Sequence, residues 1–427
     1  MKVSIKMGYN ILFFPWRDWD TMEREGFRTR EANLLIALIK NPNVDNILCV
    51  NRPKIPGYVR YVLNVKNKKM LFKKPYNNNQ YREISITSNE IKKTGLFSKL
   101  KKVNGKLNVL DIIYYLPNPK GNKLERLNIF KRILLQEVKK SINILEFDNY
   151  LTWCFDLTRI DVANTLKKDL LIFDAIDNLL EHDQNKKDCF FLEKCYKSAR
   201  ANAELIFTVS RDLKNTLFFD HKNVFYLPNA INQQMYKRRN ITLPNDLPKD
   251  KKTVGYVGLL QERIDLEVLE TSITYNKNVN FIFIGPVLAK GYFDKLKKYK
   301  NVYFLGPKHH TEVPSYISFF DVCIIPHKLN KFTKSMNPLK LYEYLAAGKE
   351  VITTPVPPSE EFKSVIHICE NKDVFARKIK EVLNNPFCKF SKQDVIDSVK
   401  GESWEHRLEQ MLKLIDNEIE NRRRRLV

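Results

Sequence analysis

From Thr253 to Leu383 short β-branched runs alternate with helical segments at intervals of roughly 20 to 30 residues, the size of a parallel βα unit. Thr253–Tyr256, Val279–Ile284, Val302–Leu305, Val322–Ile325 and Val351–Thr354 read as strands. Leu266–Tyr275, Gly291–Lys298, Val313–Phe319, Leu339–Ala347 and Val374–Leu383 read as helices between and after them. Such alternation commits a chain to α/β layers. The first half shows it as well. Strands are expected at Ile11–Phe14, Ile47–Val50, Val109–Tyr115, Ile142–Phe147, Leu170–Phe173 and Leu205–Val209, with helices at Glu31–Lys40, Arg126–Lys140 and Phe190–Ala203. The lysine- and asparagine-rich stretch 64–104 is the least regular part and reads as a surface insertion or an acceptor-side excursion. A polar, proline-containing segment, Tyr236–Lys252, looks like a join. A chain of 427 residues exceeds one core, and two domains are expected, 1–235 and 250–402. Ser403–Ile419 then reads as a long amphipathic helix opened by a serine cap.

Lys and Arg number 73 against 49 Asp and Glu, a formal net charge of +24. The excess attracts anions such as nucleotides, nucleic acid or an acidic bilayer face, and also describes a plain lysine-rich solvated surface. The four arginines 422–425 are open to the same two readings, a solvated end or a contact with phosphates or an anionic membrane. Seven cysteines, an odd set with no CxxC spacing, argue against a disulfide scaffold or zinc site and fit the cytoplasm. The opening residues lack a secretory apolar stretch, and no run approaches 18 apolar residues, so peripheral membrane attachment is the membrane role that stays open.

The chemistry concentrates in Ser335–Thr354, SMNPLKLYEYLAAGKEVITT. Phe320–Pro326 before it reads as a buried strand, so the helix start falls at a strand's carboxyl end, where open α/β sheets bind ligands. Ser335 or Asn337 is positioned to cap a helix beginning near Pro338 and Leu339, whose free amides suit a phosphate. Lys340 in the first turn opposes the helix dipole but would neutralise a pyrophosphate. Glu343 shares its face and would accept both hydroxyls of a ribose; an ordinary surface pair is the plain alternative. In the loop YVGLLQERI, Gly258 and Leu259 follow a strand and Arg263 is placed to clamp a diphosphate. The glycines are wrongly spaced for a GxGxxG turn. Gly285–Pro286 and the run Gly306–His309, with Lys308 and His309, end strands where backbone groups could hold a uracil-like edge, although turn-making explains them nearly as well.

In the first half Asp177 stands just past a strand, within reach of an interdomain cleft, as a base for a hydroxyl nucleophile. Asp174 suits a helix cap, and His182 is a weaker base candidate. Asp156 is a further cleft candidate, or a structural partner of Arg159. Arg24, Arg28 and Arg30 would meet an anionic acceptor or form a salt-bridged helix face.

With these residues in place, the sequence resembles the two-domain GT-B glycosyltransferases, specifically the group-1/family-4-like enzymes of bacterial surface polysaccharides, including teichuronic-acid-type proteins. The likeness runs through FDAIDN, VFYLPNAI, VGYVGLLQERIDLEVLE, FIFIGP, NPLKLYEYLAAGKEVITTP and SWEHRL. It implies an α/β fold of two Rossmann-like domains facing across a cleft. The C-terminal helix, 403–427, would cross back onto the first, acceptor-binding domain. It implies a nucleotide-diphosphate sugar, uridine-linked by expectation, as donor, with Arg263 and Lys340 on the diphosphate and Glu343 on the ribose. The acceptor would be a hydroxyl of a surface glycan or lipid-linked precursor, reached in the cytoplasm or at the inner membrane face. No obligate metal cofactor is implied, and the short DxD triplet Asp18–Asp20 lies in the acceptor half. One departure matters: eight residues before Glu343 many retaining members carry a glutamate, and here Ser335 stands, so the stereochemistry is left open. Other readings are a sugar-nucleotide 2-epimerase, a glycosyltransferase acting on DNA, for which no nucleic-acid module is recognisable, and a non-catalytic glycan-binding protein of the same fold.

Overall fold

A computed structural model describes residues 8–53, 90–113, 128–237 and 241–425. In the first sheet lie β1 (Tyr9–Phe14), β2 (Val44–Val50), β3 (Glu90–Thr94), β4 (Ser98–Lys102), β5 (Leu107–Ile112), β6 (Leu151–Cys154), β7 (Leu170–Ala175), β8 (Leu205–Thr208) and β9 (Val224–Tyr226). Their spatial order is β3-β4-β5-β2-β1-β6-β7-β8-β9, parallel from β5 to β9, with β3 and β4 antiparallel at one edge. The second sheet holds β10 (Thr253–Val257), β11 (Asn280–Ile284), β12 (Val302–Gly306), β13 (Val322–Ile325), β14 (Glu350–Thr353) and β15 (His367–Ile368), all parallel, in the order β12-β11-β10-β13-β14-β15.

Within the parallel strands both orders reverse direction once, between β1 and β6 and between β10 and β13. At such a reversal the loops leaving neighbouring strands run to opposite faces and open a crevice at the strands' carboxyl ends. The chain therefore presents two crevices, one from each sheet.

Strand alternation feeds a core on each face of each sheet. In β1, Leu12 and Phe14 enter one cluster while Ile11 and Phe13 enter the other. In β13, Val322 and Ile324 face one side and Cys323 and Ile325 the other. The helix Trp404–Arg425 carries Trp404, Leu408, Met411, Leu412 and Ile415 on one stripe, which packs with Leu34, Leu35 and Leu38 of the helix Arg30–Lys40 on the first sheet. Its far end is tied down by Arg422, which donates to Asp169 O (2.7 Å) and Glu204 (2.6 Å). Its near end follows a bridge in which Ile231 N donates to Glu402 O at 2.8 Å. Among the described residues no helix is long and apolar enough to cross a membrane.

Three expectations need correction. Ile142–Phe147 is not a strand: Phe130, Leu134, Val138 and Ile142 are buried at four-residue spacing, so the run completes the helix Asn128–Ile144, and the strand is Leu151–Cys154. Gly291–Lys298 is reduced to a short 3-10 helix, Asp294–Lys298. Of the stretch 64–104, residues up to 89 lie outside the described ones, and the remainder supplies β3 and β4.

Candidate active site in the cleft

The two crevices face one another and enclose a cavity of about 420 Å³. One wall comes from the second sheet: Gly258, Leu259 and Arg263 after β10, Gly285 and Pro286 after β11, Pro307 and Lys308 after β12, and Asn337 to Lys340 with Glu343 after β13. The other comes from the first: Trp16, Arg17 and Arg28–Glu31 after β1, Phe155 after β6, and Asp177 with His182 after β7.

Two glycines shape the second wall. Gly258 (φ 143°) leaves room for Lys340, whose Cε would stand 2.9 Å from an added Cβ. Gly285 (φ 138°) packs directly on the Gly258 carbonyl, 2.0 Å from where a Cβ would sit. The helix Leu339–Ala346 points its start at the same space, and no side chain caps it. Lys340, buried at 8% exposure, lies over the Tyr256 ring at 4.9 Å. Burial and the neighbouring Arg263 charge hold its ammonium well below the ordinary lysine range, with Glu343 partly offsetting them. Arg263 reaches the Met336 sulphur (3.8 Å), and its Nε is buried without a partner. Neither cation forms an ion pair with a carboxylate among the described residues. Two adjacent basic side chains without an ion-pair partner among the described residues, beside an uncapped helix start, suit a polyanion.

Glu343 receives the His310 Nε2 at 2.7 Å, and His310 Nδ1 sits 3.3 Å from the Gly26 carbonyl of the first half. On the opposite wall Asp177 has its carboxyl pushed up to about 6 by burial, with Arg263 pulling it down and Glu31 pushing it further up. His182 stacks edge-on against Phe332 at 4.9 Å, and burial and the Arg263 charge hold it below the ordinary histidine range. Its Nδ1 accepts from Gln184 N, so the ring also orders its own loop.

Several expected residues take other roles. Asp156 is fully buried outside the cavity wall, accepting from Arg52 (2.8 Å), Arg159 (2.9 Å) and Thr158. These partners hold its carboxyl below the usual range against the cost of burial, which makes it a structural carboxylate and no base. His309 is off the cavity wall, against Thr311 and Gly26; the neighbouring His310 lines it instead. Ser335 is also off the wall. It closes the short helix Lys331–Lys334 by donating to Phe332 O (2.7 Å), and accepts from Asn178 N. Neither it nor Asn337 caps the next helix: Asn337 instead accepts two hydrogen bonds from Asn229 across the halves, at Oδ1 from the Asn229 amide (3.2 Å) and at its carbonyl from Nδ2 (2.6 Å). Lys308 reaches the wall already paired with Asp246. Arg30 and Asp174 form a buried pair at 2.8 Å, Arg28 pairs with Glu25 (2.8 Å), and Arg24 bonds Thr21 away from the cavity. Of the Asp18–Asp20 triplet, Asp20 lies 4.0 Å from Lys101, and among the described residues no three His, Cys, Asp or Glu side chains gather as a metal would need.

Comparison with known proteins places this architecture. Residues 251–385 match the family described as "Glycosyl transferases group 1". A 112-residue stretch is 30% identical to a putative teichuronic acid biosynthesis glycosyltransferase of Bacillus subtilis (strain 168), covering 26% of this chain and 28% of that relative's length. The whole chain is similar in structure to sucrose-phosphate synthase from Thermosynechococcus elongatus (TM-score 0.66, 15% identity, 96% and 98% of the two chains). It is likewise similar to HepE of Anabaena in complex with UDP-glucose (TM-score 0.60, 14% identity, 96% and 99%). The fold is GT-B: two Rossmann-like sheets across a cleft with a long C-terminal helix.

Proposed function

We propose that this GT-B chain, whose second half matches the group 1 glycosyl transferases, moves a sugar from a uridine diphosphate donor to a hydroxyl of a glycan or lipid-linked precursor. The observation that carries the reading is the pair of basic side chains, Arg263 and Lys340, neither in an ion pair among the described residues, at the switch point of the matched region. In this reading they hold the diphosphate with the Leu339–Ala346 helix start, and Glu343 accepts the ribose hydroxyls with the oxygen that His310 leaves open. The Gly285–Pro286 turn borders the base. Asp177, ionised above about pH 6, takes the acceptor hydroxyl's proton. The oxygen attacks the anomeric carbon, the bond to the diphosphate breaks, and the nucleotide leaves with the electron pair. Its growing charge meets Arg263 and Lys340 in a site walled from water on both sides. Direct displacement inverts the anomeric centre. Exposed Arg423 to Arg425 suit a contact with an anionic membrane face, where a lipid-linked acceptor would be met.

The test is titration of the purified protein with UDP and with UDP-glucose, wild type against Lys340→Ala. Loss of affinity and turnover by on the order of 10²–10³ is expected. Unchanged binding and turnover in the variant would sink the reading, and anomeric NMR of the product decides the stereochemistry.

A further inference from the structure

Glu31 stands in the first turn of the helix Arg30–Lys40, 1% exposed, and forms part of the cavity wall. Its own amide and the Thr29 hydroxyl favour the charged carboxyl, yet by geometry Oε1 is buried with no hydrogen-bond partner, as is Thr29 Oγ1. Burial raises the carboxyl, while Arg17 and Arg28 draw it back. A first-turn acid is favourable for a helix. That accounts for a carboxyl here but not for an oxygen removed from water and left bare. Nor does the core require it, because the neighbouring Arg30 is satisfied by Asp174 and by the Pro228 carbonyl. What the bare oxygen shares the cavity with is Asp177, which feels the Glu31 charge, and the side chains of Trp16 and Phe155.

We propose that Glu31 is an acceptor-binding residue: it accepts a hydrogen bond from one hydroxyl of the acceptor sugar and so presents a neighbouring hydroxyl to Asp177. The acceptor class that fits is a sugar ring with two adjacent free hydroxyls, one held and one reacting, its carbon face against Trp16 and Phe155. Arg17 and Arg28, both bonded to Glu25 at 2.8 Å, hold the flank of this subsite. The inference rests on the glycosyltransferase reading above.

The experiment uses the full chain with UDP-glucose and a panel of p-nitrophenyl glycosides, each paired with monodeoxy analogues. Glu31→Gln and Glu31→Ala are compared with wild type, and Tm is recorded to confirm folding. Both variants should bind UDP with unchanged Kd while the glycoside KM rises about 10–100-fold, the worth of a hydrogen bond to a charged group. Deoxy analogues lacking the held hydroxyl should be weak acceptors for wild type and no weaker for the variants. An unchanged glycoside KM in both variants overturns the proposal, as does a parallel loss of UDP affinity, which would place Glu31 on the donor side. A panel from which wild type binds no glycoside overturns it too. Absence of UDP binding in wild type instead defeats the glycosyltransferase reading itself.

Discussion

His310 Nε2 lies 2.7 Å from Glu343 Oε1 while its Nδ1 faces the Gly26 carbonyl at 3.3 Å, so one ring joins the first half of the chain to the carboxylate of the second. Both partners are acceptors. If Glu343 holds the ribose, His310 fixes its orientation. His310→Ala should raise the UDP Kd about tenfold, corresponding to the ~1.4 kcal/mol of one such bond. His310→Gln, which keeps a donor, should lose less. Isothermal calorimetry decides, and equal affinities for wild type and His310→Ala would remove the histidine from the site.

Asp177 gives a pH signature. Its carboxyl is raised to about 6, so kcat/KM should fall about tenfold per unit as the pH drops below that value. Asp177→Asn should lose activity by on the order of 10²–10⁴. Stability moves the other way. The folded chain binds this proton more tightly than the unfolded chain, so the group costs stability as pH rises from the ordinary aspartate value to about 6, and the cost stays constant above it. Asp177→Asn should therefore raise Tm at pH 8 and change it little at pH 3.5, by differential scanning calorimetry.

The Arg30–Asp174 pair is a structural liability. Its side chains are 1% and 0% exposed, and burial keeps the Asp174 carboxyl raised even beside the guanidinium. Removing one partner strands the other charge: Asp174→Ala should destabilise the fold by about 3–5 kcal/mol. Urea titration checks this, and a loss below about 1 kcal/mol would show that water reaches the pair.

Gly285→Ala tests the wall itself. The new Cβ would fall 2.0 Å from the Gly258 carbonyl at a φ of 138°, so the Gly258 turn must move, and Lys340 beside it. A weakened UDP affinity together with a lowered Tm is expected. Native values of both would mean that the two turns separate freely.

Much of this architecture was legible because its causes are local. The βα rhythm and the glycine turns are set by short-range geometry, and Lys340 and Glu343 share a helix face by spacing alone. The failures were of aim. His309 and His310 are adjacent, and only the packing of His309 against Gly26 decides which ring turns inward. Asp156 sits at a strand end like a cleft residue, but Arg52, distant in sequence, completes a cage around it. Ile142–Phe147 looked extended because its final apolar residues outweighed the helical spacing that precedes them. Glu31 is hidden inside an apolar helical run, where an acid in the first turn reads as an ordinary helix start.

The helix Trp404–Arg425 has one more consequence. The chain passes between the halves twice, outward after Ile231 and back after Glu402, and the two passages are bonded side by side. Two threads fastened together tie the halves at one seam more firmly than a single crossing would. A protease cut in one thread is therefore expected to leave the halves bound through the other.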